Sequence, residues 1–452
     1  MDAELVFIED LAKGMQTGRS PKEGLGIDRY RIDGLFQRYQ PDHLTGPEQL
    51  DVLRGFQDIL GREISRLEAC ENRFSDLIAR IGQAETIQEV RNLHCDLTAL
   101  TIRVFQETGS VRNLQEKCTR FRQEITCRLI SFVEKQMLEE GYGPPPSAYV
   151  WISMGADGRG EQTILTDQDS LLVYQDIPRS RQRFEAEVHK KLIRRDIRES
   201  PLEESQVDLV DSYFEIFSRK MVNCLDHVGI KKCVGGVIPT NGRWRDSLKD
   251  WIDRLKQKIK YGSGTITILD LIILMDARSV AGDRALGGQF VGRFRDLIEK
   301  TPSIQAEVAK SAVLMPVALG FLRRFRTERS GHRRGKFNLK LKGWAPLVLT
   351  LRALAMKYGI KGTNSFDRIR SLEVLGLISP TIASDLEKAY RLLLSIHIRK
   401  QIESIKLRKR FDNFFDPATL SEDEQTQLKN SLLRIEVLQK LAHNVFFPGR
   451  LG

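Results

Sequence analysis

The sequence is poor in cysteine and histidine. Its six cysteines (Cys70, Cys95, Cys118, Cys127, Cys224 and Cys233) are scattered over 452 residues and never form a Cys-x-x-Cys pair. Neither a disulfide framework nor a structural zinc site is expected from that spacing. The seven histidines make no His-x-x-x-His or His-Glu-x-x-His arrangement, which removes the zinc hydrolases. Long apolar runs are missing too. No window reaches the eighteen or so uninterrupted apolar residues that a membrane span needs; residues 266–275 and 312–322 come nearest, and Asp270 interrupts the first. The opening Met1-Asp-Ala-Glu-Leu-Val6 lacks the basic stretch and apolar core of a secretory signal. A cytoplasmic chain with no membrane partner is therefore expected.

What is present describes a folded chain: 41% hydrophobic and 29% charged residues, long enough for roughly three domains at about 150 residues each. The net charge of +11 suits an anionic partner, whether a nucleotide, a nucleic acid or an acidic protein. Residues 1–46 carry several Gly and Pro with weak periodicity and read as an irregular arm. From 47 to about 140 the spacing predicts continuous helix. Leu50, Leu53, Phe56, Ile59, Leu60, Ile64 and Leu67 recur at three- and four-residue steps, as do Val104, Leu114, Phe121, Ile125, Leu129 and Val133. The breaker Gly141-Tyr-Gly-Pro-Pro-Pro146 closes that bundle. Two strand-type runs follow, Tyr149-Val-Trp-Ile152 and Ser170-Leu-Leu-Val-Tyr174, separated by a glycine-rich turn. The charge-dense stretch 179–201 reads as a solvated helix, 213–225 as a helix and 232–238 as a short strand. Beyond Trp244 nearly everything is helix-like; Leu347, Leu351, Leu354 and Ala355 share one face, and so do Leu386, Ala389, Leu393 and Ile396. The expected architecture is α+β and mostly helical, with an arm over 1–46, a helical bundle over 47–143, a mixed α/β unit over 144–243 and a helical domain over 244–452. There is no internal repeat.

The chemistry concentrates between the two strands. Asp167 and Asp169 stand at i and i+2 directly before an apolar strand, so alternation sends both carboxylates to one face. Carboxylates that close repel unless a cation lies between them, and hard oxygen donors favour Mg²⁺ or Mn²⁺. Upstream, Gly155, Gly158 and Gly160 leave room for backbone N–H groups to approach a triphosphate. A helix starting near Arg159 would add its positive end, and Arg159 could hold phosphate oxygens bidentately. Taken singly, an Asp-x-Asp is more often a solvated turn, and a Gly-rich loop more often only a turn. The order strand, Gly loop, Arg, Asp-x-Asp, strand is much more specific.

That order is similar to the nucleotidyltransferase superfamily. The stretch Ser153-Met-Gly-Ala-Asp-Gly-Arg-Gly-Glu-Gln-Thr-Ile-Leu-Thr-Asp-Gln-Asp-Ser170 resembles bacterial nucleotidyltransferases related to the PII-protein uridylyltransferase, a family often found with CBS or cyclic-nucleotide-binding modules in front. Gly141-Tyr-Gly-Pro-Pro-Pro146, Cys233-Val-Gly-Gly-Val-Ile-Pro-Thr-Asn-Gly-Arg-Trp-Arg245, Asp276-Ala-Arg-Ser-Val-Ala-Gly282, Leu339-Lys-Leu-Lys-Gly343 and Leu351-Arg-Ala-Leu-Ala355 fit the same family. The resemblance runs from about residue 50 to 445, and neither sensory module is expected ahead of it. It implies a small mixed-sheet domain of the polymerase-β type between the N-terminal bundle and a C-terminal helical substrate-binding domain. It also implies nucleotidyl transfer with Mg²⁺ or Mn²⁺ held by Asp167 and Asp169, and with Gly155, Ala156, Gly158 and Arg159 positioning the NTP. The sequence departs from the family at three places. Ala156 stands where the family has a loop serine, and loss of that hydroxyl weakens NTP binding by about 1 kcal/mol. Asn338 stands where the family has an Asp, and the connection 179–211 is longer than usual. The superfamily's third carboxylate has one candidate, Asp208, for which a solvated acid is the commoner reading.

Other features have plain structural readings. The glycines after Cys233 serve backbone packing, Trp244 reads as a core anchor, and Asp276 with Arg278 as a structural ion pair. The basic run Arg323, Arg324, Arg326, Arg329, Arg333, Arg334, Lys336, Lys340 and Lys342 is a solvated loop by default and a docking surface by the sharper reading. Three functions stay open: transfer of UMP or AMP to a protein acceptor, nucleotide binding by a regulator whose catalysis has weakened, and nucleic-acid-directed transfer through residues 323–342.

Overall fold

Strands β1 (Tyr149–Ser153) and β2 (Ser170–Tyr174) are apolar and buried along their whole length. They pair antiparallel, with Tyr149 opposite Tyr174 and Ser153 opposite Ser170. This register closes residues 154–169 into a loop at one end of the pair, where the Met154 N–H donates to the Asp169 carbonyl at 2.8 Å. β3 (Arg245–Ser247) runs parallel to β2 and β4 (Arg278–Gly282) antiparallel to β1, giving the order β3-β2-β1-β4. A computed structural model describes residues 3–17, 43–177 and 209–449. The charged stretch 179–201 and the candidate Asp208 lie outside them.

The alternation of a strand divides the core. Val150, Ile152, Leu171 and Val173 face Trp251, Leu255, Phe290 and Phe294. Tyr149, Trp151, Leu172 and Tyr174 face the N-terminal helices and the helix Leu209–His227, with Tyr174 stacked on Phe214 at 4.8 Å. Two of the four strands come from beyond residue 243, where helix was expected. Each is only three or five residues long between helices, too short for period 2 to stand out. Residues 232–238, expected as a strand, form a turn instead. The Gly236 N–H bonds the Cys233 carbonyl at 3.1 Å with Gly236 at φ +69°, a conformation that ends an extended run.

Three helices, Gly46–Gln83, Ile87–Thr108 and Val111–Glu139, replace the continuous one. Thr86 with Glu89 makes a capping box that restarts the chain, and Gly109 at φ +63° ends the second helix. The expected core stripe is only half used. Leu50, Leu53, Leu60, Ile64 and Leu67 are exposed, whereas Phe74, Leu77, Ile78 and Ile81 are buried. Helix length explains this: 1.5 Å per residue makes the first helix about 57 Å and the second about 33 Å. The antiparallel partner therefore ends near the Arg66–Glu107 ion pair, and the N-terminal half of the long helix projects past it. The arm also contains regular structure, a helix over Ala3–Thr17 that buries Phe7, Ile8 and Leu11.

The C-terminal part is helical, as expected. Leu347, Leu351, Leu354 and Ala355 are buried together, as are Leu386, Ala389, Leu393 and Ile396. Between the helices Pro302–Val313 and Ala345–Lys357 runs the basic connection, where Arg323, Arg324, Arg326, Arg329, Arg333 and Arg334 are exposed. It returns to the body through a two-residue ladder, Phe337–Asn338 against Phe414–Phe415, and a π-helical turn, Lys340–Trp344. The chain is α+β and mostly helical. Among the described residues no helix is long and apolar enough to cross a membrane.

Candidate active site

The loop between β1 and β2 forms one wall of a cleft of about 450 Å³, within the range of roughly 300–1,000 Å³ for small-molecule sites. Gly155, Ala156, Arg159, Thr163, Asp167 and Asp169 line it from the sheet side, and Lys340, Trp344, Tyr390, His397, Phe411 and Asn413 from the C-terminal helices. Asp167 is fixed by a parallel bridge to Lys231, and Gln168, pointing the other way, is buried and donates to the Val222 and Ile230 carbonyls. The two carboxylates are thereby left on the same side. One oxygen of each and the Cys233 Sγ lie within 4.8 Å of one another.

Gly155 makes this arrangement possible. At φ +57° it is in the left-handed region, and a Cβ there would overlap the Asp169 Oδ2. Burial, then repulsion from Asp167, pushes the Asp169 carboxyl up to about 6; a Cys233 hydrogen bond and the Lys340 charge act the other way. Burial, followed by the Asp169 charge, pushes the Cys233 thiol up to about 11. Two carboxylates and a thiol crowded together in this way, on a wall kept clear by a glycine, fit a divalent cation.

The remaining expected residues divide. Ala156 lines the cleft, and its carbonyl accepts from the Glu161 N–H at 2.8 Å. Gly158 does not line it: a Cβ there would overlap the Asp276 and Ser153 carbonyl oxygens, so its bare backbone serves close packing. Residues Gly155–Gly158 make a single helical turn that Arg159 closes, whereas a helix opening near Arg159 was expected. The Arg159 guanidinium is paired with Glu161 at 2.6 Å and with Asp276 at 2.7 Å, leaving 10% of its side chain exposed. Asp276 is fully buried and also accepts from Arg352 and Arg368. Burial alone would raise its pKa, yet Arg352, Arg159 and Arg368 together hold it below the usual carboxylate value. The expected Asp276–Arg278 pair does not form. Arg278 instead meets Asp157 at 3.3 Å and Gln123 at 2.9 Å, tying the turn to the helix Val111–Glu139.

Sequence reasoning missed the far wall. Lys340 was grouped with the docking run, yet it faces the cleft and has no ion-pair partner among the described residues. The Leu-Lys-Leu-Lys-Gly motif was its only local signal. Trp344 and Phe411 pack edge-on against His397 at 4.5 Å and 5.1 Å, forming an aromatic wall. Burial, with Lys340 and Lys400 nearby, lowers the His397 pKa to about 3, so the ring is neutral. The Thr163 Oγ1, His397 Nδ1 and Asn413 Oδ1 are buried without a hydrogen-bond partner among the described residues. Trp244 does not reach the cleft; it is a core residue 6.2 Å from Trp251.

Residues 96–265 match the family described as Putative nucleotidyltransferase DUF294, and residues 302–446 match the one described as Putative nucleotidyltransferase substrate binding domain. The first match spans β1, β2, β3 and the Asp pair, and the second spans Lys340, Trp344, His397 and Asn413. No curated protein matches the chain.

Proposed function

This chain belongs to the Putative nucleotidyltransferase DUF294 family, together with that family's substrate-binding domain, and from that premise we propose that it transfers UMP or AMP from an NTP to a hydroxyl of a protein acceptor in a regulatory circuit. The observation that carries this reading is the single cleft in which Asp167 and Asp169 face Lys340, a lysine with no ion-pair partner among the described residues, and an aromatic wall from the C-terminal helices. Asp167 and Asp169 would hold Mg²⁺ or Mn²⁺, which when bound neutralises triphosphate charge and favours the ionised acceptor oxygen. Lys340 binds phosphate oxygens as a point charge. Arg159, already paired twice, keeps the Gly155–Gly158 turn rigid. Trp344 and Phe411 cover the base, and the Thr163 and Asn413 oxygens, without a partner among the described residues, meet polar groups of the nucleotide. The acceptor oxygen attacks the α-phosphorus, the bond from that phosphorus to the bridging oxygen breaks, and pyrophosphate leaves.

The test is incubation of the full chain with each labelled NTP, Mg²⁺ or Mn²⁺ and host lysate. Label on a protein is the expected outcome. NTP binding without turnover would favour the weakened regulator, a reading that Ala156 supports, and label confined to RNA would favour nucleic-acid-directed transfer.

Two substitutions separate binding from docking. Lys340→Gln is expected to raise the NTP dissociation constant about tenfold, the loss of one charge-assisted contact at about 1.4 kcal/mol, while the urea midpoint stays put because the residue is exposed. Calorimetry checks it, and unchanged affinity would return Lys340 to the docking run. Replacing Arg323, Arg324, Arg333 and Arg334 with Gln is expected to slow capture of an acidic acceptor and flatten its salt dependence, leaving NTP affinity unchanged. Association rates from low to moderate salt on that variant decide it.

A further inference from the structure

The site has two carboxylates where the superfamily leads one to look for three, and the third ligating group among the described residues is a thiol. We propose that Cys233 is the third protein ligand of the metal bound by Asp167 and Asp169, and that it biases the centre toward thiophilic divalent ions such as Zn²⁺ or Cd²⁺ over Mg²⁺ and Mn²⁺. The inference rests on the metal-centre reading above and adds a residue and a selectivity to it.

The placement of the three donor atoms carries it. The Sγ lies within 4.8 Å of both carboxylate oxygens, and an ion with bonds of about 2.3 Å to sulfur and about 2.0–2.2 Å to oxygen would draw these donors together by up to about 1 Å, within the reach of side-chain rotation. Cys233 is carried by a turn that the Gly236 N–H closes on its carbonyl at 3.1 Å. Behind the carboxylates a second cavity of about 20 Å³ is lined by Asp167, Asp169, Gln168 and Ser170. The Gln168 Oε1 and Ser170 Oγ there have no partner among the described residues, although both residues are at least nine-tenths buried. That volume, which the buried Arg122 also lines, holds about one water with polar groups to bond, on the side of the carboxylates away from the sulfur. Thiolate donors select softer ions, whereas Mg²⁺ prefers oxygen. On binding, the thiol gives its proton to solvent. Asp226 also lines the main cleft but lies outside the trio.

The experiment titrates the full chain, without nucleotide, with Mg²⁺, Mn²⁺ and Cd²⁺ by calorimetry, and follows Cd²⁺ by its sulfur-to-metal ultraviolet band. Wild type should show the band at one Cd²⁺ per chain. Cys233→Ser should lose it and bind Cd²⁺ on the order of 100-fold more weakly, while Cys70→Ser and Asp226→Asn keep both. Cys233→Asp should reverse the preference, gaining Mg²⁺ affinity as it loses Cd²⁺ affinity. Persistence of the band in Cys233→Ser, or an unchanged Mg²⁺-to-Cd²⁺ ratio in Cys233→Asp, overturns the inference. Divalent binding that needs Asp167 but ignores Cys233 leaves the transferase reading intact and sinks only the thiol. Absence of any divalent binding that depends on Asp167 sinks both.

Discussion

Asp167→Asn and Asp169→Asn are each expected to lower metal-dependent nucleotidyl transfer by at least about 10³-fold, the scale on which removal of one group that stabilises transition-state charge acts. Neither should unfold the chain. Carboxylate oxygens within 4.8 Å of each other repel by about 3.5 kcal/mol or more at an effective dielectric constant near 20, so neutralising either one relieves a cost borne by the fold. The Asp169 carboxyl is pushed up to about 6 by burial first and by Asp167 second, the direction this repulsion dictates. Loss of activity with an unchanged or higher urea midpoint is therefore the signature of a binding pair. A pair that stabilised the fold would give the opposite, a lower midpoint in proportion to lost activity. Transfer rates and urea curves on the same preparations check it, and both variants staying within tenfold of wild-type activity would remove the pair from the chemistry.

The segment 153–170 was legible because its chemistry is local. Glycine, arginine and paired carboxylates all lie within one loop, and two apolar strands pin its ends. Partners distant in sequence were not. Arg159 looks free to bind phosphate until Asp276, 117 residues away, folds against it. Arg352, hidden in the Leu-Arg-Ala-Leu-Ala run, reads as a helix-face charge until that helix docks. Lys340 was lost among eight neighbouring cations, since composition cannot say that a π-helical turn directs one of them to the cleft. Helical periodicity was read correctly, but what covers a helix depends on its partner's length. The same repeat is exposed at Leu60 and buried at Ile78. The C-terminal helices held up better because each has a fully apolar face and several neighbours to bury it.

Asp276→Asn is expected to cost about 3–5 kcal/mol of stability, the range for removing one partner from a buried ionic group. Asp276 has no exposed surface and accepts from Arg159 at 2.7 Å, from the Arg352 Nε at 3.1 Å and from Arg368 at 3.5 Å. With Glu161 it balances two of three buried positive charges; without it, two remain uncompensated. Asparagine restores one acceptor but turns an NH₂ group toward a guanidinium. The sign with pH follows from the lowered pKa. The stability Asp276 contributes is complete above its unfolded value of about 3.9 and is lost as pH falls through the lower folded value, so the variant should give up part of the wild-type acid dependence. Damage should also reach the cleft. Thr363 donates to the Gly158 carbonyl at 3.1 Å, Asn364 to the Arg159 carbonyl at 3.3 Å, and the Ser365 N–H to Glu161, so these contacts fasten the Gly155–Gly158 turn to the C-terminal helices. Adding Arg368→Met to Asp276→Asn removes one stranded charge and should recover part of the loss, which a simple packing defect would not. Urea unfolding at neutral pH on the single and double variants decides it: a single variant within 1 kcal/mol of wild type, or a double variant less stable than the single, would mean that the three arginines are held by something other than Asp276.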